Sequence, residues 1–498
     1  MARKRDQREE LIAAQQATIA QLTSVIAELK SMLEKVQADA AAREAVLNDK
    51  LDAITRKMFG KSSEKMPPPA KELAKGRTAE AKAEAAKAKR RANEERKAQL
   101  ETEVVPHPVR ADQRSCSSCA SSALTPASPI QRVDYAYIPG YFRRRVHEVE
   151  VLECTRCATR VTGTAPPRPF EKSPYDAGLI SHVIVQKCAC SVPIYRLEKQ
   201  FQWLGIPVSR STMTDLFHAA AQKLSPLYLR LLQRVARADI VLADETTLAM
   251  QTTKKRGYMW TFRTDSLITY KYSASRSGKT SLDVLGGTNG TLLVDAYTGY
   301  NPVLDVDGRK RAACLAHVRR KFFDALSAAP EAQQALDIIL EVYRVEHRAL
   351  EQEIVRTDAH ARLRKKESRS AMKKLRAWLD EHHDRHPPKG PLGKAISYAR
   401  DNWTELQVFI DDVNVPVDNN ASERALRVVA LGRKNFMFVD HEDAGQNLAI
   451  LYSLMATCEL HGVDPYAYLA DVLVRIDDHP NRLIDALLPD RWASASVQ

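Results

Sequence analysis

Between Asp239 and His317 the hydrophobic pattern of this chain changes from helical to extended. Five stretches, DIVLADETTLAM, YMWTFRT, LITYKYS, GTLLVDAY and AACLAH, read as strands, with a helix near Lys279–Leu285. Strands, then a helix, then strands again predict an α/β sheet. Two of these strands run into a carboxylate: Asp244 ends the apolar run IVLA, and Asp295 ends TLLV. Paired carboxylates at the ends of buried strands are costly unless something neutralises them. A hard divalent cation does so, and Mg²⁺ prefers one or two carboxylates completed by phosphate oxygens and water. The plainer reading is two strand-end aspartates that start turns. If the strands lie side by side, the carboxylates converge.

A third carboxylate lies far downstream in VDNNASERALRVVALGRKNF, where Glu423 is followed by Arg424, Arg427, Arg433 and Lys434. Asn420 is a candidate helix cap, and Glu423 falls three residues later, so the pair also reads as a capping box. Capping and ligation are compatible.

The 498 residues are too many for one core. Residues 7–57 contain neither Gly nor Pro. Ile19, Leu22, Ile26, Leu29, Leu33 and Val36 alternate three- and four-residue spacings, which predicts a coiled coil and a dimer; a lone amphipathic helix is the alternative. From Lys61 to Leu100 twelve Lys/Arg and six Asp/Glu occur with almost no large apolar residue, so this segment builds no core. Cys116-Ser-Ser-Cys119 and Cys154-Thr-Arg-Cys157, separated by 34 residues, can supply four thiolates to one structural zinc in a ribbon. Cys188 and Cys190 have no second pair nearby and read as buried thiols. YRLEKQFQWLGIPVSRSTMTDLFHAA has the outline of a helix-turn-helix, as would any two packed helices. Residues 318–415 read as charged helices, and two more helices broken at HGVDP close the chain.

A net charge of +13 favours a polyanionic partner, nucleic acid first. No run of eighteen apolar residues occurs, and MARKRDQREE leads into a polar helix rather than a signal core, so a cytoplasmic protein with no membrane span is expected.

The order strand-Asp, strand-Asp, helix-Glu resembles the DDE transposases, whose core is ribonuclease H-like. The likeness is closer still to the insertion sequence 66 family of bacterial transposases. It rests on MFGKSSEK, the paired CxxC knuckles, VPIYRLEKQF, ADETT, VDAYTGYN, CLAHVRRKFFD, VDNNASERALR, LGRKNF and ILYSLMATCELHGVDPYAYLADVL, all in the family's order. The resemblance implies Asp244, Asp295 and Glu423 as the acidic triad holding Mg²⁺ or Mn²⁺. It implies Zn²⁺ on Cys116, Cys119, Cys154 and Cys157. His317, Arg319, Arg320, Arg424, Arg427 and Lys434 are the residues placed to meet phosphate. Two ions about 4 Å apart would bridge the scissile phosphate. The implied partners are DNA, as element ends and target, a second copy of the chain through the coiled coil, and small accessory proteins of the same element, with the protein associated with the nucleoid. The expected architecture is multidomain α+β: a coiled-coil helix at 7–60, a charged linker at 61–104, a zinc-binding domain at 105–165, a helical region at 174–237, a ribonuclease H-like core at 238–430 with a helical insertion at about 318–415, and a C-terminal helical domain at 431–480.

The chain departs from the family pattern in three places. CSSCASSAL lacks the usual Gly pair, CACSVP replaces a Tyr and His, and HEDAGQNLAI carries Gln446 and Asn447 where Glu and Arg are usual. RSGKTS resembles a P-loop but has Ser273 where the motif needs its first Gly, which excludes nucleotide hydrolysis through it. Glu245 points away from Asp244 if the strand continues, so it is not counted as a ligand. The rival readings are a sequence-specific DNA-binding protein with an inactive core, a metal-dependent nuclease that cuts without joining, and a coiled-coil scaffold.

Overall fold

The structure is a computed structural model. It describes residues 140, 142–153, 160–162, 166–252, 256–436 and 438–492, with isolated positions before them (23, 25, 30–37, 84, 87, 88, 90, 91 and 95). Most of the predicted coiled coil and linker, and Cys116, Cys119, Cys154 and Cys157, lie outside the described residues. The chain divides into two compact units, Lys50–Gly140 and the remainder. In the first, the described residues between 84 and 95 are helical and exposed.

In the larger unit, β1 (Val151–Glu153) pairs antiparallel with β2 (Arg160–Thr162). Four helices follow: α1 (Ala177–Cys188), α2 (Ile194–Trp203), α3 (Arg210–Lys223) and α4 (Ser225–Ala236). The turn between α2 and α3 is a Schellman stop. Gly205 takes φ +80°, and the amides of Gly205 and Ile206 donate to the Gln202 and Phe201 carbonyls. Ser209 then caps α3 by accepting from Thr212 N–H.

The sheet comprises β3 (Ile240–Met250), β4 (Arg256–Arg263), β5 (Ile268–Ser273), β6 (Thr291–Val294), β7 (Lys310–Ala313) and β8 (Phe438–Val439). Its order is β5-β4-β3-β6-β7, with β8 paired to the far end of β3. The β3–β4 and β4–β5 pairs are antiparallel, and β3–β6, β6–β7 and β3–β8 are parallel. Between β5 and β7 lie α5 (Lys279–Leu285) and α6 (Asn301–Asp307). The sheet therefore begins as an antiparallel meander and continues through crossovers. β3 runs on well past Asp244, so this residue lies mid-strand rather than at a strand end. The predicted last strand, AACLAH, gives up its second half to a helix that starts at Leu315.

Residues alternate between two cores. Val241, Ala243, Leu292 and Val294 face one core, shared with α1, α3, α4 and the C-terminal helices α15 (Glu442–Leu460) and α16 (Pro465–Arg475). Leu242 and Leu293 face the other, shared with the helical insertion. Burial of every residue of β6 explains why Leu292, Leu293 and Val294 run without a polar break up to Asp295. α15 also covers the edge strand β5: Ser453 Oγ accepts from Tyr270 N–H at 2.8 Å, and Thr457 Oγ1 exchanges hydrogen bonds with the Ile268 backbone. Cys188 is buried as expected, but Cys190 is exposed beyond the end of α1. Gln446 donates to Tyr228 Oη at 3.0 Å and Asn447 to His218 Nδ1 at 2.9 Å, so both residues have local partners. Among the described residues no helix is long and apolar enough to cross a membrane.

The insertion comprises α7 (Leu315–Ala325), α8 (Ala332–Glu351), α9 (Asp358–Leu363), α10 (Arg369–His383), α11 (Pro391–Asp401) and α12 (Val408–Asp411), with a π-helical turn at Arg364–Ser368. At its base Leu315 N–H donates to Val417 C=O at 3.0 Å. Its centre is Arg364, whose side chain is 3% exposed. The guanidinium grips both oxygens of Glu346 at 2.8 and 2.7 Å, and its Nη1 reaches the carbonyls of Phe409, Asp412, Val413 and Val415. Removing it strands a partly buried carboxylate and several carbonyls at once. Arg364→Leu is expected to destabilise the folded core by about 3 kcal/mol or more, read as a lowered urea midpoint.

Candidate functional site

β3 pairs with β6 only from Ile240–Thr291 to Leu242–Leu293. β8 joins β3 only at Ala249 and Met250. Between these ladders one side of β3 has no strand, and the candidate residues collect there. Continuing the β3–β6 register by two residues sets Asp295 beside Asp244. Leu242 faces the insertion, so Asp244 faces it too, and Glu245 faces the opposite core.

α13 (Asn420–Ala425) and α14 (Arg427–Phe436) are held against this open stretch by side chains. Asn419 donates from Nδ2 to the Ala243 carbonyl at 2.8 Å, and its own N–H donates to Cys314 Sγ at 3.1 Å. Arg433 Nη1 donates to the carbonyl and hydroxyl of Thr247, both at 2.7 Å. The cap differs from the predicted one. Asn419, not Asn420, occupies the N-cap position, and Asp418 Oδ1 accepts from Asn420 N–H at 3.1 Å. Tyr343 from α8 donates to the other oxygen of Asp418, tying the insertion to the same turn.

Glu423 therefore makes no capping-box bond to Asn420. Its carboxylate meets Arg320 Nη2 at 3.5 Å and His317 Nε2 at 3.9 Å, both from α7. Burial lowers the pKa of His317, against the pull of Glu423 and Asp295, and its buried Nδ1 has no hydrogen-bond partner among the described residues. Asp244 responds most strongly. Burial, then the charges of Glu245, Asp295 and Glu423, push its pKa from 3.8 up to about 7, against a hydrogen bond from the Glu245 amide. Asp295 Oδ1 accepts from Tyr297 N–H at 2.9 Å, which shapes the turn after β6. Tyr398 of α11 reaches the same turn; burial and the Asp295 charge raise its pKa to about 12.

Asp244, Asp295, Glu423, His317 and Arg320 thus act on one another. Arg319 lies over the Phe323 ring. Arg424 turns away toward Arg263, whose pKa burial and the Arg424 charge both lower. Arg427 and Lys434 are exposed. Among the described residues no three His, Cys, Asp or Glu side chains form a group that could hold a metal ion. Asn419 and Arg433 were missed as positioning residues: an Asn before a helix reads as a cap, and an Arg in a basic helix reads as surface. No local signal marks the carbonyls they seek.

A mixed sheet with acidic side chains gathered beside a gap, and basic side chains around them, is consistent with a transposase core. The chain belongs to the Transposase IS66 family: that family's model matches residues 172–447, and the IS66 C-terminal element matches residues 453–489. It is similar to uncharacterized protein y4jD of Sinorhizobium fredii (strain NBRC 101917 / NGR234), 33% identical over 415 residues, covering 78% of this chain and 80% of the relative. It is also similar to uncharacterized protein y4hP of the same strain, 29% identical over 418 residues, covering 77% of this chain and 74% of the relative.

The folded chain binds the Asp244 proton more tightly than the unfolded chain does. The resulting penalty is absent below the unfolded value of 3.8, grows as pH rises, and is complete above about pH 7. Without divalent cations, Asp244→Asn is expected to be more stable than the unsubstituted protein at pH 8, with the gap closing toward pH 4. Denaturant melts across that pH range check this.

Proposed function

We propose that this chain is the DNA transposase of a bacterial insertion sequence, binding the element ends and catalysing metal-dependent strand cleavage and strand transfer. The observation that carries this reading is the gathering of Asp244, Asp295 and Glu423 beside the open stretch of β3, where their charges act on one another, in a chain of a transposase family. Crowded, dehydrated carboxylates are relieved by a cation. The all-oxygen donor set of Asp244, Asp295 and Glu423 suits Mg²⁺ or Mn²⁺. When bound, such an ion activates the attacking hydroxyl and stabilises the leaving oxygen of a phosphodiester.

In cleavage, a water oxygen bonds to phosphorus, the P–O3′ bond at the element end breaks, and the departing 3′ oxygen gains a proton as the water loses one. In joining, the freed 3′-hydroxyl attacks a target phosphodiester, and one P–O bond replaces another. No protein atom bonds to phosphate. The three carboxylates bind and orient. His317 and Arg320 steady Glu423 against the open stretch of β3. Arg320, together with Arg319, Arg424, Arg427 and Lys434, offsets the charge of the incoming backbone, while the neutral His317 meets it as a hydrogen-bonding group.

The domain limits are part of this reading: a ribonuclease H-like core at 238–430, a helix-turn-helix within 174–237, and a C-terminal helical domain at 431–480. So is a structural zinc on Cys116, Cys119, Cys154 and Cys157. Helical residues 30–37 leave Met32, Leu33 and Val36 exposed, which supports pairing of two chains along the heptad seam.

A second reading, a DNA-binding protein with an inactive transposase-like core, is favoured by one observation: the acidic residues do not stand as a closed metal-holding group. Asp295→Ala separates the two. On duplexes cut from the element's ends with Mg²⁺ present, the unsubstituted protein should cleave and join. The variant should do neither while binding the ends with unchanged affinity. Cleavage retained in Asp295→Ala sinks the assignment, and binding without cleavage by the unsubstituted protein favours the second reading.

A further inference from the structure

The RSGKTS loop has no part in the chemistry above, yet it is built into the rim of the same site. Arg276 stands between β5 and α5 and reaches back to Glu245, the residue next to Asp244 on the opposite face of β3. Its Nε donates to Glu245 Oε1 at 2.8 Å, and its Nη2 donates to the same oxygen. The other oxygen of Glu245 accepts from Tyr300 Oη at 2.6 Å. The guanidinium lies on the Tyr297 ring, 3.9 Å from its centroid, and the Tyr297 hydroxyl donates to the Arg276 carbonyl. Tyr297 N–H in turn donates to Asp295. The loop is thereby tied to the turn that carries Asp295.

The two partners differ sharply in exposure. The Glu245 side chain is 2% exposed and both its oxygens are satisfied, whereas Arg276 is 44% exposed. Nη1 of Arg276 makes no hydrogen bond among the described residues. The guanidinium is therefore not buried with its carboxylate and keeps an edge open to solvent. It is fixed in plane by a carboxylate and on one face by a ring, so its remaining donors are pre-oriented and lose little entropy on binding an anion. It also stands where the field of Asp295 reaches it. A polyanion approaching three carboxylates meets repulsion, and a fixed cation beside them offsets it.

We infer that Arg276 contacts DNA, its Nη1 edge donating to a backbone phosphate of the strand held at the carboxylates, with Glu245 and Tyr297 as positioning residues. This rests on the transposase reading above. Because Asp244 and Glu245 face opposite sides of β3, the phosphate is a neighbour of the one cleaved rather than the cleaved one itself.

The test measures the affinity of the full chain for a duplex cut from the element's ends across a range of salt concentrations, with cleavage assayed in parallel. Arg276→Ala and the closer-sized Arg276→Gln should each bind about tenfold more weakly at low salt. Each should lower the steepness of log affinity against log salt by about one. Arg276→Lys should keep the steepness and recover part of the cleavage. Glu245→Gln should also keep it, because the cation remains, while cleavage falls as Arg276 loses its seat. A purely structural clamp predicts the reverse: no change in steepness for either neutral Arg276 variant that melts like the unsubstituted protein. That outcome, with the unsubstituted protein active, overturns the Arg276 assignment alone. If the unsubstituted protein neither binds nor cleaves the ends, the transposase reading falls and this inference with it.

Discussion

The central strand of this fold loses its parallel neighbour half-way along. β6 stops at Val294, and β8 arrives only at Ala249, leaving a stretch of β3 whose backbone acceptors on one side need donors. Buried carbonyls without partners are costly, and here two side chains supply what a strand would have supplied. Asn419 takes the Ala243 carbonyl, and Arg433 takes that of Thr247. Those two bonds fix α13, which bears Glu423, and α14 after it, and they leave room between them for carboxylates that a continuous sheet would have crowded out.

The alternation of the same strand sorts its charges. Glu245 points into a core where Arg276 and Tyr300 satisfy it fully. Asp244 points to the other side, where its neighbours are other carboxylates, and it is the group whose proton affinity climbs. One strand therefore carries a satisfied carboxylate and a frustrated one in consecutive positions. The frustrated one faces the helical insertion, the side on which the histidine and arginine of α7 stand. Frustration of this kind is stored rather than relieved by the surrounding packing, and sites that bind charged partners are where proteins keep it.

Much of this could be read from the residues. The apolar run in TLLV before Asp295 marked a buried strand, and the period change at Asp239 located the sheet. The side-by-side placing of Asp244 and Asp295 depended on a pairing that no local pattern encodes. DIVLADETTLAM reads as a strand over nearly the length β3 takes, but Asp244 reads as a strand end because the apolar run stops there and DETT is polar. Those residues stay extended because β4 pairs with them along their whole length, so tertiary pairing overrides a weak local preference. The cap was assigned one residue late because Asn419 and Asn420 are chemically identical, and only the location of Ala243 decides between them. Arg276 was set aside with a failed nucleotide motif. Its partners Glu245 and Tyr297 lie in the middle of β3 and in the turn after β6, and nothing in the spacing of RSGKTS points to them.

The hydrogen bond from Leu315 to Val417 has a consequence of another kind. The chain leaves the sheet for six helices and comes back to the point of departure, so the excursion has a closed neck. Anything added or removed beyond the layer that covers Leu242 and Leu293 leaves the distance between Cys314 and Asn419 untouched. Loop-closure entropy rises only slowly with length, so changes confined to the loops between its helices cost little. The insertion thus hangs from one closed neck, and changes to its outer surface can alter what the molecule touches while the strands and their carboxylates keep their places.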